Sequence, residues 1–97
     1  MSAAERMPLR IEKELIGNLR FPSTEVLSSK DDIQRRRVGL ERAVILGNVE
    51  KNKVRVIFED ESKMQLVETT VWGVTDERVI LKGGVTIPLK RIWEVIA

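Results

Sequence analysis

Between Val71 and Val95 the chain is a series of short apolar runs cut by turn residues, a pattern that few folds accommodate. Val71-Trp-Gly-Val74, Arg78-Val-Ile-Leu-Lys82, Val85-Thr-Ile-Pro-Leu89 and Ile92-Trp-Glu-Val95 are separated by Thr75-Asp-Glu77, Gly83-Gly84 and Lys90-Arg91. Runs of this length, alternating at a two-residue period and bounded by Gly, Asp and Pro, predict a β-meander. Gly83-Gly84 supplies the positive φ of a tight hairpin. Pro88 has no N–H and belongs at a strand end or edge.

The preceding segment has the same character. Lys53 to Phe58 alternates with Val54, Val56 and Phe58 inward, and Glu59 to Lys63 is a polar turn. Met64 to Val74 is about twice the usual strand length of five or six residues. Its alternation is also interrupted, because Leu66, Trp72 and Val74 share one parity while Val67 and Val71 share the other. A bend or bulge near Glu68-Thr69-Thr70 is expected, with Trp72 in the core. Strands are thus expected over about 53–59, 64–74, 78–82, 85–89 and 92–96.

One helix precedes the strands. Ser29 is a candidate N-cap, and Asp31 and Asp32 sit where the helix dipole favours negative charge. The helix should run from Lys30 to about Leu46, with Ile33, Leu40, Ala43 and Val44 as its apolar positions. Val38, Ile45 and Leu46 widen that stripe and predict burial of the last two turns. Gly47-Asn48 is the expected stop. Gly39, at about 1 kcal/mol below Ala in a helix interior, suggests a kink or a close crossing. Residues 1–22 read as an N-terminal arm, partly ordered at best, in which Leu15, Ile16, Leu19 and Phe21 cover an edge of the core. Residues 23–97 read as a single domain.

Composition narrows the chemistry. The 97 residues include no Cys, no His and no Tyr. Disulfides and thiolate metal sites are excluded, and the commonest general base and zinc ligand are missing. No spaced Asp cluster builds an oxygen-only metal site, and Gly83-Gly84 lacks the spacing and following helix of a phosphate loop. The expectation is a non-enzymatic protein with no catalytic residues, no metal, no cofactor and no small-molecule ligand. No apolar run approaches the ~20 residues of a membrane span, and the N-terminus has no apolar signal region. A cytoplasmic protein without membrane association is expected.

The chain carries 17 Lys and Arg against 15 Asp and Glu, a net charge of +2. That balance is too even to mark a nucleic-acid binder, so clustering decides. Arg35-Arg36-Arg37, with Arg42 a further turn or two along, forms a basic collar on the helix suited to RNA or DNA phosphates. The bland alternative is a solvated face with Asp31–Arg35 and Asp32–Arg36 pairs. Lys53 and Arg55 form a second basic stripe on the first strand, beside the acidic Glu59-Asp60-Glu61; cross-strand pairing with acids is its bland reading. Arg91 and Trp93 make a third candidate, a stacking platform or protein hot spot, or else a cap on the open end of the sheet.

One helix followed by five short, strongly bent antiparallel strands gives an α+β, mainly β fold, whose order resembles an Sm-like or SH3-like small barrel. The uridine-gripping loop patterns of the Sm-like family are not recognisable here, so that likeness is architectural. Separately, Leu46-Gly47-Asn48, Phe58-Glu-Asp60, Val67-Glu-Thr-Thr-Val-Trp72, Leu81-Lys-Gly-Gly84, Ile87-Pro88 and Arg91-Ile92 resemble a group of short, uncharacterised bacterial proteins. That resemblance covers about residues 20–95 and implies a bacterial cytoplasmic origin and no established activity. Two functions stay open: binding of nucleic-acid backbone through the Arg-rich helix, or a protein-interaction or self-assembling module, including a homo-oligomer.

Overall fold

The computed structural model describes residues 6–97. Its strands are β1 (Leu9–Arg10), β2 (Val54–Glu59), β3 (Met64–Thr69), β4 (Val71–Val74), β5 (Arg78–Leu81), β6 (Thr86–Pro88) and β7 (Ile92–Ile96), with one α-helix, α1 (Lys30–Ile45). They form two sheets, in the orders β1-β3-β2-β7 and β4-β5-β6. The fold is α+β. The expectation of five strands in one barrel is corrected: seven strands lie in two sheets with no closed barrel. The extra strands arise because the long Met64–Val74 run divides at Thr70, and because Leu9–Arg10 adds to β3 in parallel.

The division at Thr70 follows from burial. Gln65, Val67, Thr69 and Val71 are all buried, so the inward parity is theirs, and Thr70 is buried as well. Trp72 therefore points outward and is 49% exposed. The expectation of a core Trp72 fails because the register slips between Val71 and Gly73, where β4 pairs with β5. Of the apolar residues that share its parity, Leu66 is not part of the core, whereas Val74, beyond the slip, packs against it.

Between the sheets lie Val54, Val56, Phe58, Val67, Val71, Val79, Leu81, Ile87, Leu89 and Ile92. Leu40 and Ala43 of α1 and Ile16 of a 3-10 turn (Lys13–Asn18) complete this core. Phe21 tilts against Phe58 with ring centroids 6.0 Å apart, so the N-terminal segment reaches the same core. Each fully buried Val, Leu, Ile or Phe contributes roughly 1.5–3 kcal/mol relative to exposure, which favours two sheets with one shared interior.

The helix begins as its cap predicts, with Ser29 Oγ accepting from the Asp32 N–H at 3.0 Å. Its end differs from expectation. Gly47-Asn48 does not stop the chain; the turn widens through Leu46–Glu50 and stops at Lys51, whose φ is +58°. Gly47 serves close approach, since a Cβ there would lie 2.3 Å from the Val71 carbonyl oxygen. Gly39 has no comparable constraint, its nearest neighbour being Val95 Cβ at 3.7 Å. The expected burial of the last two turns is also corrected. Val38 and Ile45 face solvent, opposite the Arg36–Leu40–Ala43–Gly47 face, while Val44 and Leu46 are half-buried against the core.

At the meander's end both glycines of the Leu81–Gly84 turn have positive φ, +88° and +87°. A 3-10 turn (Leu89–Arg91) then redirects the chain from β6 into β7, which pairs with β2. No helix among the described residues is long and apolar enough to cross a membrane.

Candidate functional site

The three consecutive arginines go to three different places. Arg36 turns inward, with its side chain only 7% exposed. Its Nη1 and Nη2 donate to Glu25 Oε2 and Oε1 at 2.7 and 2.6 Å, and Nη1 also donates to the Ile92 carbonyl at 3.0 Å. This two-pronged arrangement is the strong geometry of guanidinium and carboxylate. Burial opposes the charge of Glu25. The Arg36 hydrogen bonds and the Leu27 N–H outweigh it, and they hold the carboxyl below its ordinary range. The expected Asp32–Arg36 pair does not form. Asp32 instead meets Arg35 at 3.3 Å on the surface. Arg37 donates to the Thr75 carbonyl and faces Asp76 at 4.0 Å.

Arg91 is equally committed. Nε donates to the Glu59 carbonyl at 3.0 Å, and Nη1 to the Thr24 carbonyl and hydroxyl at 2.9 and 3.0 Å. Its Nη2 reaches the Asp60 carbonyl and stands 3.7 Å from Glu59 Oε2. Trp93 donates its indole N–H to Glu59 Oε1 at 2.9 Å, and Arg6 lies 4.8 Å from its ring centroid. Arg36 and Arg91 thus pin residues 24 and 25 to α1, to the β2–β3 turn and to the start of β7. Asp60 is held at the same corner. Burial penalises its charge, but the N–H groups of Lys63 and Ser62 and the Gln65 amide more than compensate and lower its pKa.

On the outer face of the four-stranded sheet, Arg55 stands directly across from Glu68 at 3.8 Å, and Arg10 reaches the same carboxylate at 2.6 Å. The Arg10 hydrogen bond holds Glu68 below the usual carboxylate range, with Arg55 and Lys53 adding to it. A neighbouring cleft of about 250 Å³ sets Lys13, Lys53 and Lys82 against Glu12, Glu14 and Glu68. Acids interleave with bases throughout. Of the eight candidate residues, only Arg42 and Lys53 have no hydrogen bond or ion pair among the described residues. The structure does not bring Arg35, Arg36, Arg37, Arg42, Lys53, Arg55, Arg91 and Trp93 onto one surface.

What it does expose is apolar. Val38, Ile45 and Val49 are 52%, 62% and 75% exposed, at spacings of seven and four that keep them on one side of α1 and its terminal turn. That side is opposite Leu40 and Ala43. Asn48 Nδ2 donates to the Trp72 carbonyl, which brings the exposed Trp72 to the same end of the helix. The sequence held the signal: on a helical wheel Val38 and Ile45 lie about 180° from Leu40 and Ala43, farther than one buried stripe extends.

Among the described residues no group of three or more His, Cys, Asp or Glu could hold a metal ion. Comparison with protein-family models, characterised proteins and solved structures returns no match.

Proposed function

We propose that the chain is a non-enzymatic protein-interaction module, a two-sheet α+β domain that docks protein through the outer face of α1. The observation that carries this reading is the row Val38, Ile45 and Val49, exposed on one side of α1 and its terminal turn, with Trp72 exposed at the same end of the helix. Apolar and aromatic side chains grouped on a surface mark docking sites far more often than single exposed residues do. The phosphate-binding reading receives less support than the sequence lends it, because Arg36 and Arg91 are consumed internally and Arg35, Arg37 and Arg55 face carboxylates.

Photo-crosslinking in cells tests the proposal, with a photoreactive residue replacing either Ile45 or, as control, Arg10. Protein adducts concentrated at position 45 are expected. A nucleic-acid titration at low salt of wild type and an Arg42→Glu/Lys53→Glu pair runs alongside. If position 45 yields no protein adducts while the wild type binds RNA or DNA with a steep salt slope that the pair abolishes, the interaction reading fails.

A further inference from the structure

The outer face of α1 carries a charge pattern that selects its occupant. Val38 and Ile45 are two turns apart, and at 100° per residue Glu41 and Arg42 flank the line between them by about 50° on opposite sides. Both are exposed, and neither bonds within the described residues. Arg37, four residues before Glu41 and able to compete for it, is turned to Thr75 and Asp76. Arg35 is likewise held by Asp32. An acid and a base therefore border the apolar row, one on each side, with their charges available.

We propose that this face seats a second copy of the chain, its α1 parallel to the first about a two-fold axis. Val38, Ile45 and Val49 meet their counterparts, and Glu41 of each copy pairs with Arg42 of the other. The inference deepens the interaction-module reading and rests on it. Orientation follows from symmetry. In a parallel two-fold pair, one flank of each helix meets the opposite flank of its mate, as in parallel coiled coils, so acid meets base twice. In an antiparallel pair each flank meets itself, which sets Glu41 against Glu41 and Arg42 against Arg42. Charge complementarity thus favours the parallel form. The core contacts of α1 are made from its other side, by Leu40 and Ala43.

Area limits the affinity. The helix has 16 residues, about 24 Å at 1.5 Å per residue. One face of that length buries less than the ~800 Å² per partner of a standard stable interface. A weak dimer follows, with a Kd on the order of tens to hundreds of micromolar.

Sedimentation equilibrium from about 10 µM to about 1 mM covers that range. The set comprises wild type, Glu41→Arg, Arg42→Glu, the double swap Glu41→Arg/Arg42→Glu, and Ile45→Cys. All changes are at exposed positions, and circular dichroism checks that each variant is folded. Wild type should dimerise, either single swap should weaken the dimer roughly tenfold or more, and the double swap should restore it. Ile45→Cys, in a chain with no other cysteine, should form a disulfide-linked dimer under mild oxidation. A wild type monomeric throughout, or a double swap no better than the singles, overturns the pairing. Persistent protein adducts at position 45 from a chain that stays monomeric overturn self-pairing while sparing the broader interaction reading.

Discussion

Replacing Arg36 by Met separates a structural arginine from a phosphate-binding one. The substitution removes three hydrogen bonds, two to Glu25 and one to the Ile92 carbonyl. Methionine refills much of the volume but none of the donors. Breaking a buried ion pair by deleting one partner costs ~3–5 kcal/mol, chiefly because the other charge is left uncompensated. Here the Glu25 side chain is 26% exposed and keeps the Leu27 N–H at 3.0 Å, so water recovers part of that loss. The expected cost is about 2–4 kcal/mol, which at ~4–8 °C per kcal/mol for a domain of this size lowers the Tm by about 8–32 °C.

Thermal and urea unfolding followed by circular dichroism measure the cost directly. Arg35→Met is the control, with its guanidinium on the surface, and should stay within about 0.5 kcal/mol of wild type. A Glu25→Leu/Arg36→Met double variant should lose less than the sum of the two singles, because removing both charges leaves neither stranded. An Arg36→Met protein that unfolds at the wild-type midpoint would refute the structural assignment. So would an Arg35→Met protein as damaged as Arg36→Met.

Gly47→Ala should cost about 2–3 kcal/mol, since its Cβ meets a backbone carbonyl that cannot step aside, and urea midpoints will show it. Gly39→Ala should raise stability by about 0.5–1 kcal/mol, because its Cβ meets only Val95 at ordinary contact distance. Glu25 and Asp60 have lowered folded-state pKa values, so each contributes stability above its unfolded value that is lost as pH falls through the folded one. Urea midpoints should therefore fall as pH drops below about 4.5, and Glu25→Gln or Asp60→Asn should each flatten that decline.

Much of the fold is written locally in the chain, and the departures have local causes. Ser29, Asp31 and Asp32 announce the start of α1 because capping involves only neighbours in sequence. Gly83-Gly84 announces a hairpin for the same reason. The parity of the Met64–Val74 run was not legible, because Leu66, Trp72 and Val74 are more apolar than Gln65, Thr69 and Thr70. Yet the less apolar set faces inward. Gln65 is buried because its amide meets Asp60, and Thr70 because Gly47 packs against it. Both causes depend on residues distant in space and unmarked in sequence. Leu9-Arg-Ile11 alternates like a strand, but Ile11, Leu15 and Ile16 also fit a helical face, and what decides for the strand is its pairing with Gln65 and Leu66 on β3.

The arginine triplet shows why the candidate site was harder to read than the fold. Consecutive helix positions are 100° apart, so a run of like residues is dealt around the axis instead of gathered on one face. Of three adjacent arginines in a helix with a buried face, one is directed toward the core and survives there only with a carboxylate to meet it. Glu25 supplies that carboxylate from outside the helix, just after a Pro-Ser-Thr break, where no periodic pattern could reveal the pairing. Val38 and Ile45 obey the same rule in reverse. They add to the apolar count of α1, but their angle places them opposite Leu40, so they stay outside the core and leave an exposed apolar face. The angle at which each residue leaves the axis, more than its type, divides this helix into a buried side and an exposed apolar one. Counting arginines overstated the first function proposed for it, and counting valines and isoleucines as core concealed the second.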